Sequence, residues 1–590
     1  MAQDLDSART FLAQDIDAEG RLELEELLKQ VESGDAEAAV ELEDAFAGTL
    51  AFGTAGLRGR VGPGTNRMNR VVVMRATWGL GKYLLEQFGD DDKSASPKSR
   101  GVVIGFDGRR TSRQFAEDAA AVLCAQGIPA WLFDDITSTP TCAFAVTHLG
   151  AAAGIMVTAS HNPPLDNGYK VYWENGAQII PPHDKGIATC IERAPAANAM
   201  PRMHAFEAAQ EKLRKTVHDD VTKAYLAGVD AGRFLKDVPR EPLHVVYTAM
   251  HGVGHPLVVR ALRTAGFDGV SVVPSQTEAD GAFPTVAFPN PEEDGALDRS
   301  LAIAKEVNAE LIVANDPDAD RLAVVVRNAQ GDFIPLSGNE IGALLGHAAL
   351  KYAEVGDAKK LVITTLVSST LLSRMAADHD AEYRETLTGF KWIANTALDE
   401  KPAGNTFVFG YEEALGYSVG ELVRDKDGVS AIVHLVELAA VLKKEGKTLL
   451  DELEEIFVAH GLSVSLQWSK VLPGKDGKAQ IAALLETLRS EGMQQLGESD
   501  VVKSADLSTN ICKNKGAQDS VVGFPSSNVL VFTSEDGTRL TVRPSGTEPK
   551  IKFYLEMVKH VAERAALKEA RNVLGEKCDG IRAQLENRLF

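Results

Sequence analysis

The amino-acid sequence predicts an α/β fold in which one type of α/β domain is used three times and is followed by a C-terminal α+β domain. Three segments, beginning at residues 101, 243 and 359, each contain an apolar run, a short polar turn and an amphipathic helix. This alternation is typical of parallel α/β units. After about residue 480 the pattern changes to a helix, short strands and a long last helix from about 557, which indicates an α+β domain.

The length of the chain requires several hydrophobic cores. A chain of 590 residues is too long for a single core. Residues 16–50 have helical spacing and acidic faces, so we expect a helical extension that covers the first domain rather than a partner-binding segment. The predicted limits are 1–228 for the extension with α/β domain 1, 229–345 for α/β domain 2, 346–468 for α/β domain 3 and 469–590 for the α+β domain.

Composition and charge exclude several classes of protein. The formal net charge of −21 argues against nucleic-acid binding, which needs clustered Lys and Arg. We expect no membrane partner, because no apolar run approaches ~18 residues and the acidic N-terminus lacks the apolar segment of a signal peptide. The five cysteines are far apart and form no CxxC pair, which indicates reduced thiols and a cytoplasmic location. An anionic ligand would need a local positive pocket.

The strongest local signal is the stretch ELIVANDPDADRLAVVV, residues 310–326. Asp316, Asp318 and Asp320 alternate between two apolar runs that read as buried strands. Three crowded carboxylates repel one another, and a hard divalent cation such as Mg²⁺, Mn²⁺ or Ca²⁺ relieves that repulsion. An EF-hand would need Gly at the sixth position and Glu at the twelfth, and neither is present. A solvated acidic turn is the alternative, but the apolar flanks favour a metal site.

Two further loops carry groups that suit phosphate. In RPSGTEPKIKFY, residues 543–554, a guanidinium, two hydroxyls and backbone N–H groups could hold a phosphate, although a plain turn between strands is the alternative. In FGTAGLRGRVGPG, the glycines around Arg58 would allow the backbone to approach a ligand closely. The alternative is that this segment is only a flexible connector. The candidate phosphate-binding residues of the first loop are Arg543, Ser545, Gly546 and Thr547.

The segment VFGYEEALGYSVG places Glu412 and Glu413 after a short apolar run. Paired glutamates occur in glycosidases, but adjacent side chains usually diverge, so a contact from one glutamate to sugar hydroxyls fits better. Lys391 and the run VRDKDG, residues 423–428, add polar groups, each of which could equally be surface charge. In TASHNP, Ser160 and His161 are adjacent, which alone does not define a nucleophile and its base.

Taken together, these motifs resemble the α-D-phosphohexomutase superfamily, which includes phosphoglucomutases and phosphomannomutases. TASHNP, DPDADR, GYEEALGY and RPSGTEPKIKFY occur in that order, with GTAGLRG ahead of them. The GTAGLRG opening resembles the branch of phosphoglucomutase/phosphopentomutase-type enzymes. The motifs span residues 52–554. The resemblance implies three α/β domains with mixed, mainly parallel sheets and a fourth α+β domain around a central cleft.

The resemblance also implies roles for the candidate residues. Ser160 would carry a phosphoryl group, and an oxygen of that group would join the three aspartates in holding one Mg²⁺ per chain. Glu412 would be the main contact to sugar hydroxyls, and the Arg543 loop would hold the non-reacting phosphate. Arg58 and Lys170 match basic positions of the reaction centre. His161, Arg321 and Lys391 would be further residues of the cleft.

One departure from the family bears on the sugar. Many relatives have Ser two residues after the sugar-binding Glu and then a His, but here Ala414 and Gly416-Tyr417 occupy these positions. The resemblance therefore assigns no general acid to this loop. Lys170 and His161 both stay candidates for the base, and Lys170 could serve only if neighbours such as Arg58 lower its pKa.

The implied activity is transfer of a phosphoryl group between the 1- and 6-positions of glucose phosphate, with a sugar 1,6-bisphosphate as intermediate and activator. Mannose and pentose phosphates remain alternatives. A metal-dependent phosphatase and a non-catalytic sugar-phosphate sensor are more distant ones, since the DxDx[TV] start of aspartyl-nucleophile phosphatases is absent. The expected partner is a small phosphosugar, and the chain could be a monomer or a homodimer.

Overall fold

The structure is a computed structural model of the chain, and it describes residues 2–50, 56–89, 95–472, 477–545 and 550–590. The chain forms two compact units. The first comprises Met1–Leu336 and Leu415–Ala440, and the second comprises Ser337–Ala414 and Val441–Phe590. The segment that contains the VRDKDG run thus belongs to the first unit.

Three helices precede the first sheet. Asp17 and Asp35 cap the second and third helices, because each side chain accepts a backbone N–H of the first turn. Apolar side chains of the helices, such as Phe11 and Leu24, pack in one core with Met74 of the following domain. The helices are α1 (Ala2–Gln14), α2 (Ala18–Glu32) and α3 (Ala36–Ala45).

The first α/β domain has a mixed sheet with the strand order β1-β5-β4-β2-β3-β6. The pairs β4-β2, β2-β3 and β3-β6 are parallel, and β5 is antiparallel to β1 and β4. Its elements are β1 (Leu57–Arg60), α4 (Arg70–Phe88), α5 (Pro97–Arg100), β2 (Val102–Phe106), α6 (Ser112–Ala125), β3 (Ala130–Phe133), α7 (Thr139–His148), β4 (Ala153–Val157), β5 (Asp166–Trp173), α8 (His183–Glu192), α9 (Ala205–Gln210), β6 (Arg214–Val217) and α10 (Asp219–Ala231).

The second α/β domain has the strand order β11-β10-β9-β7-β8, with β7 parallel to β8 and β9 and the other pairs antiparallel. Two later elements also lie in the first unit, wholly or for most of their length: β15 (Gly416–Val419) and α16 (Gly428–Lys444). The elements of the domain are β7 (Val245–Thr248), α11 (His255–Thr264), β8 (Val270–Val272), α12 (Asp298–Glu306), β9 (Leu311–Ala314), β10 (Ala323–Arg327) and β11 (Phe333–Pro335).

The second unit begins with the third α/β domain, in which β12 is parallel to both β13 and β14. Helix α13 begins with a capping box of Ser337 and Glu340. The elements are α13 (Gly338–Tyr352), β12 (Lys359–Thr365), α14 (Leu371–Asp378), β13 (Glu382–Thr386), α15 (Phe390–Glu400), β14 (Asn405–Glu412) and α17 (Leu449–His460).

The C-terminal domain is an antiparallel sheet with two helices. The strand order is β16-β23-β22-β21-β18-β19-β20, with β17 paired to β18. The last helix was predicted from about 557, but the buried stretch FYLEM continues β23 and the helix begins later, at Leu567. The elements are β16 (Leu462–Val471), α18 (Gly477–Glu491), β17 (Gln495–Leu496), β18 (Ser499–Asp506), β19 (Ile511–Asn514), β20 (Ser520–Val521), β21 (Leu530–Ser534), β22 (Arg539–Pro544), β23 (Lys550–Lys559) and α19 (Leu567–Leu589).

The predicted fold class is confirmed, since three α/β domains with mixed sheets precede an α+β domain. Within the described part of the chain, no helix combines the length and the apolar character that a membrane crossing requires.

Candidate active site

Ser160 lies in the loop that follows the buried strand β4. Its φ of 51° is in the left-handed region, which a non-glycine residue adopts only when its surroundings hold it there. The Ser160 N–H donates to the Thr158 hydroxyl at 2.9 Å. The buried Arg109 guanidinium also fixes the loop, because it donates to four of its backbone carbonyls at 2.6–2.9 Å. These are the carbonyls of Ser160, Asn162, Pro163 and Asp166.

The three aspartates lie in the loop between β9 and β10. All three are 0% exposed, and one oxygen from each lies within 4.8 Å of the others. Ala319, between Asp318 and Asp320, has a φ of 59°, so the loop turns sharply there. The alternating sequence and the turn bring the three carboxylates together, as the spacing of the aspartates predicted.

The serine and aspartate loops meet. The Ser160 hydroxyl donates to Asp316 Oδ2 at 2.5 Å, and His161 Nδ1 lies 3.2 Å from the same hydroxyl oxygen. Burial, followed by the charges of Asp318 and Asp320, raises the pKa of Asp316 well above its ordinary value. The Ser160 hydroxyl is therefore held by a carboxylate and has an imidazole nitrogen beside it.

Lys170 of β5 forms ion pairs with the other two aspartates. Its Nζ lies 2.8 Å from Asp318 Oδ2 and 3.0 Å from Asp320 Oδ2. Burial would lower the pKa of Lys170, but the two carboxylates outweigh burial and raise the pKa above its ordinary value. A base of this type would need a lowered pKa, so the surroundings of Lys170 favour a permanent cation.

Lys426, in the VRDKDG run, provides a second ammonium group. Its Nζ lies 3.0 Å from Asp320 Oδ2. Burial would raise the pKa of Asp320, but Lys170 and Lys426 outweigh burial and lower it. The run is anchored by its aspartates: Asp425 accepts from the Tyr172 hydroxyl and the Gln178 amide, and Asp427 accepts from the Tyr225 hydroxyl, all at 2.7 Å.

Gly428 ends this run and packs directly on the aspartate loop. A Cβ at this position would collide with the Arg321 carbonyl and with Asn315 Nδ2. The Gly428 N–H donates to the Ala319 carbonyl at 3.2 Å. This close approach brings Lys426 within reach of Asp320.

The remaining predicted residues of the first unit surround the same centre. Arg321 Nε lies 3.9 Å from both Asp316 and Asp320. Burial, and then the charges of Arg321 and Arg58, lowers the pKa of His161 well below its ordinary value, so its imidazole is neutral at pH 7. Arg58, in β1, pairs in register with Gly168 of β5, two residues before Lys170.

The aspartate cluster fits a divalent cation. Asp318 Oδ2 and Asp320 Oδ2 receive hydrogen bonds, whereas the buried Oδ1 atoms of both have no hydrogen-bond partner among the described residues. A buried acceptor without a partner is costly, and a cation with oxygen ligands removes that cost. The donor set is oxygen only, which suits Mg²⁺.

In the second unit, the two predicted sugar-binding glutamates have different partners. Glu412 Oε1 accepts the N–H of Gly389, at the start of α15, at 2.7 Å. Glu413 Oε2 accepts the Ser368 hydroxyl at 3.0 Å. Burial raises the pKa of Glu413, while Ser368 and the cations Arg543 and Lys552 oppose that shift.

The phosphate-binding candidates of the second unit are described in part. Arg543 is the fifth residue of β22 and acts electrostatically on both Glu413 and Tyr554. The Ser545 N–H donates to the Lys550 carbonyl at 2.7 Å. Lys391 is buried in the first turn of α15, with its ammonium 5.8 Å from the centre of the Trp392 ring. Gly546 and Thr547 lie outside the described residues.

Three residues of the first unit were missed by sequence reasoning. The run that contains Lys426 was noticed, but it was grouped with the sugar-binding loop. Thr139, at the start of α7, donates its hydroxyl to Asp318 Oδ2 at 2.6 Å, and no local motif marks it. Arg109 follows an apolar strand in FDGRRTS, which is the position where open α/β sheets carry functional groups, so its place could have been a signal.

Four consecutive domain families match this chain. They are described as phosphoglucomutase/phosphomannomutase α/β/α domains I, II and III and the C-terminal domain, and they match residues 49–198, 223–331, 337–458 and 476–572.

Two relatives and one solved structure are similar to this chain over most of its length. A phosphopentomutase of Pongo abelii is 39% identical over 566 residues, covering 91% of this chain and 89% of that protein. A phosphoglucomutase of Staphylococcus haemolyticus is 37% identical over 519 residues, covering 87% and 91%. A crystal structure of a phosphoglucomutase/phosphomannomutase family protein from Burkholderia thailandensis has a TM-score of 0.61 at 20% identity, covering 90% and 97%.

Proposed function

Because the chain belongs to the phosphoglucomutase/phosphomannomutase family of the α-D-phosphohexomutase superfamily, we propose that it moves a phosphoryl group on a sugar phosphate by way of Ser160. Membership of this family makes the chain an isomerase that acts as an intramolecular phosphotransferase on small phosphosugars. The identity of the phosphoryl carrier, the roles of the other residues and the sugar are the proposed parts.

One observation carries the proposal: the Ser160 hydroxyl lies within the aspartate cluster, 2.5 Å from Asp316 Oδ2. In the first half-reaction the bond between phosphorus and the Ser160 oxygen breaks, and a bond forms from phosphorus to the free hydroxyl of the sugar phosphate. The proton lost by the sugar hydroxyl ends on the Ser160 oxygen. The second half-reaction returns the other phosphoryl group of the bisphosphate to Ser160.

The family uses Mg²⁺, and Asp316, Asp318 and Asp320 are the residues that we assign to hold it. When bound, Mg²⁺ would neutralise charge on the phosphoryl oxygens. Lys170 stays positively charged beside two of these aspartates, and we assign it with Arg58 to binding the phosphoryl group. His161 is our candidate to pass the proton, since its Nδ1 lies 3.2 Å from the Ser160 oxygen.

The loops of the second unit are assigned to recognition. Glu412 and Glu413, with Lys391, would contact sugar hydroxyls, because the carboxylates accept hydrogen bonds from hydroxyl groups and the ammonium group donates them. Arg543 and Ser545, together with Gly546 and Thr547, would hold the phosphate that does not react. The charge of Arg543, which already acts on Glu413, supports this assignment.

Glucose 1-phosphate, converted to glucose 6-phosphate, is the first substrate that we propose, and glucose 1,6-bisphosphate is the proposed activator. A pentose phosphate is the second candidate, because a relative with 39% identity is named phosphopentomutase. Mannose phosphate remains a third, from the name of the family. A cytoplasmic location, and a monomer or homodimer, remain predictions.

The test compares purified parent protein with Ser160→Ala and with Ser99→Ala, which changes an exposed serine of the same unit. Each is incubated with Mg²⁺, a trace of the matching bisphosphate and glucose 1-phosphate, mannose 1-phosphate or ribose 1-phosphate. Isomerised product and free phosphate are measured, and intact mass reports the phosphoryl group on the chain. We expect turnover and phosphorylation in the parent and in Ser99→Ala, and neither in Ser160→Ala.

Each alternative has its own result. Full mutase activity in Ser160→Ala would refute the phosphoserine proposal. Release of phosphate without isomerisation would favour a phosphatase, and binding of sugar phosphates without turnover would favour a sensor. The highest kcat/KM among the three sugars identifies the substrate.

A further inference from the structure

We propose that Thr139 is a positioning residue that orients Asp318 toward the divalent cation. The inference rests on the proposed metal site and adds to it a residue from outside every motif of the sequence. Thr139 is the first residue of α7 and is fully buried. It lies 179 positions before Asp318 in the chain.

Thr139 contacts Asp318 at two points. Its backbone N–H donates to the Asp318 carbonyl at 3.0 Å, and its hydroxyl donates to Asp318 Oδ2 at 2.6 Å. The second distance is within the range of charge-assisted O–H···O⁻ bonds. The two bonds fix both the backbone and the carboxylate of Asp318 relative to α7.

The helix does not need this hydroxyl for its own cap. The side chain of Ser138, the N-cap residue, accepts the Thr141 N–H at 3.2 Å and pairs with the Thr141 hydroxyl at 2.8 Å. Pro140, in the first turn, has no N–H to satisfy. The Thr139 hydroxyl is therefore used outside the helix.

The consequence is an asymmetric carboxylate. Asp318 Oδ2 receives the Thr139 hydroxyl and the Lys170 ammonium, and Lys170 Nζ is also 3.4 Å from Thr139 Oγ1. Asp318 Oδ1 is buried and has no hydrogen-bond partner in the described part of the chain. The contacts at Oδ2 fix the rotation of the carboxylate and leave Oδ1 for the cation. Hydrogen bonds to metal-ligating carboxylates typically change metal affinity by about 10- to 100-fold.

The experiment measures Mn²⁺ binding rather than turnover. Metal-free parent protein, Thr139→Val, Thr139→Ser and Thr139→Ala are titrated with Mn²⁺, and the electron paramagnetic resonance signal of free Mn²⁺ gives the affinity. Intact mass confirms that all samples have the same phosphorylation state, and thermal unfolding in a chelator reports folding. We expect about tenfold weaker binding for Thr139→Val and Thr139→Ala, and affinity within about threefold of the parent for Thr139→Ser.

Asp318→Asn separates this inference from the metal site itself. Parent-like affinity in Thr139→Val, with weak binding in Asp318→Asn, would overturn the role of Thr139 and leave the metal site standing. Equally weak binding by the parent and Asp318→Asn would overturn the metal site and the role of Thr139 with it. If Thr139→Val does not fold, Thr139→Ser and Thr139→Ala decide the question, because serine and alanine are similar in volume. Equal Mn²⁺ affinities of these two variants would overturn the inference.

Discussion

The aspartates of the first unit and the glutamates of the second hold their carboxylates in opposite ways. Asp318 and Asp320 are fully buried and receive ammonium groups at 2.8–3.0 Å. Glu412 and Glu413 receive an amide N–H and a serine hydroxyl instead. Carboxylates that form close ion pairs suit a centre where a phosphoryl group is transferred, whereas carboxylates that accept an amide N–H or a hydroxyl suit the recognition of sugar hydroxyls. The difference suggests that chemistry and recognition are divided between the units.

The largest effect should come from a change in the aspartate cluster of the first unit. We expect Asp318→Asn to lower kcat by about 10²- to 10³-fold, because one of three anionic cation ligands becomes neutral. The measurement is the steady-state mutase rate over a range of Mg²⁺ concentrations. Asp332→Asn, at an exposed turn of the same unit, is the control and should behave as the parent. Parent-like kcat in Asp318→Asn would remove the contrast between the regions.

A smaller loss of kcat should follow from Lys426→Met. This change removes one of the two ammonium groups on Asp320 Oδ2, and we expect kcat to fall about 10- to 100-fold while the KM for sugar phosphate changes little. Lys305→Met, on an exposed position of α12, is the matched control. If KM rises and kcat does not fall, Lys426 belongs to recognition, and the division between the units is wrong.

On the recognition side, we expect Arg543→Gln to raise KM about tenfold, equivalent to about 1.4 kcal/mol of binding, with a smaller change in kcat. The reason is that the lost guanidinium would contact the phosphate that does not react. Initial rates at varied sugar phosphate give both constants. Arg582→Gln, on the exposed side of α19, is the control. A fall in kcat at constant KM would place Arg543 in the chemistry.

The last prediction concerns a buried titratable group outside both sets of carboxylates, and it affects stability rather than activity. His434 of α16 stacks on Phe234 with ring centres 4.3 Å apart, and burial lowers its pKa to about 3. Since the unfolded chain takes up this proton below about pH 6.5 and the folded chain does not, its contribution to stability is complete above pH 6.5 and is lost as pH falls toward 3.

Between pH 8 and pH 5.5 this loss is about 1.4 kcal/mol. Denaturant unfolding of the parent and His434→Gln at both pH values measures it, and the variant should lose that much less stability on acidification. The same acid dependence in both proteins would show that His434 gains a proton without unfolding.

The sequence placed the candidate residues best where one short motif carries them. The spacing and apolar flanks of the three aspartates predicted a carboxylate cluster, and the family resemblance pointed to Ser160, whose hydroxyl lies on Asp316 in the structure. Thr139 and Lys426 were not identified, because their roles depend on contacts between segments far apart in the chain. Lys426 in particular follows the sugar-binding motif in sequence, yet the structure places it on Asp320.

The fold shows the same limit. Alternating apolar runs and amphipathic helices predicted three α/β domains, because each unit forms from neighbouring residues. The inclusion of residues 415–440 in the first unit could not be read from the sequence, since it depends on the packing of Gly428 and on the anchors of Asp425 and Asp427. The late start of the last helix was missed because β23 ends in a stretch with no strong turn signal.

The aspartate loop has a consequence for how the protein depends on its surroundings. Its three acidic side chains are matched within the chain by Lys170, Lys426 and Arg321. The polypeptide therefore supplies its own counter-charges. We expect that folding does not require a bound metal ion, unlike the folding of a zinc finger. We expect loss of magnesium to slow turnover and to lower the free energy of unfolding only by the free energy of ion binding, without unfolding the protein.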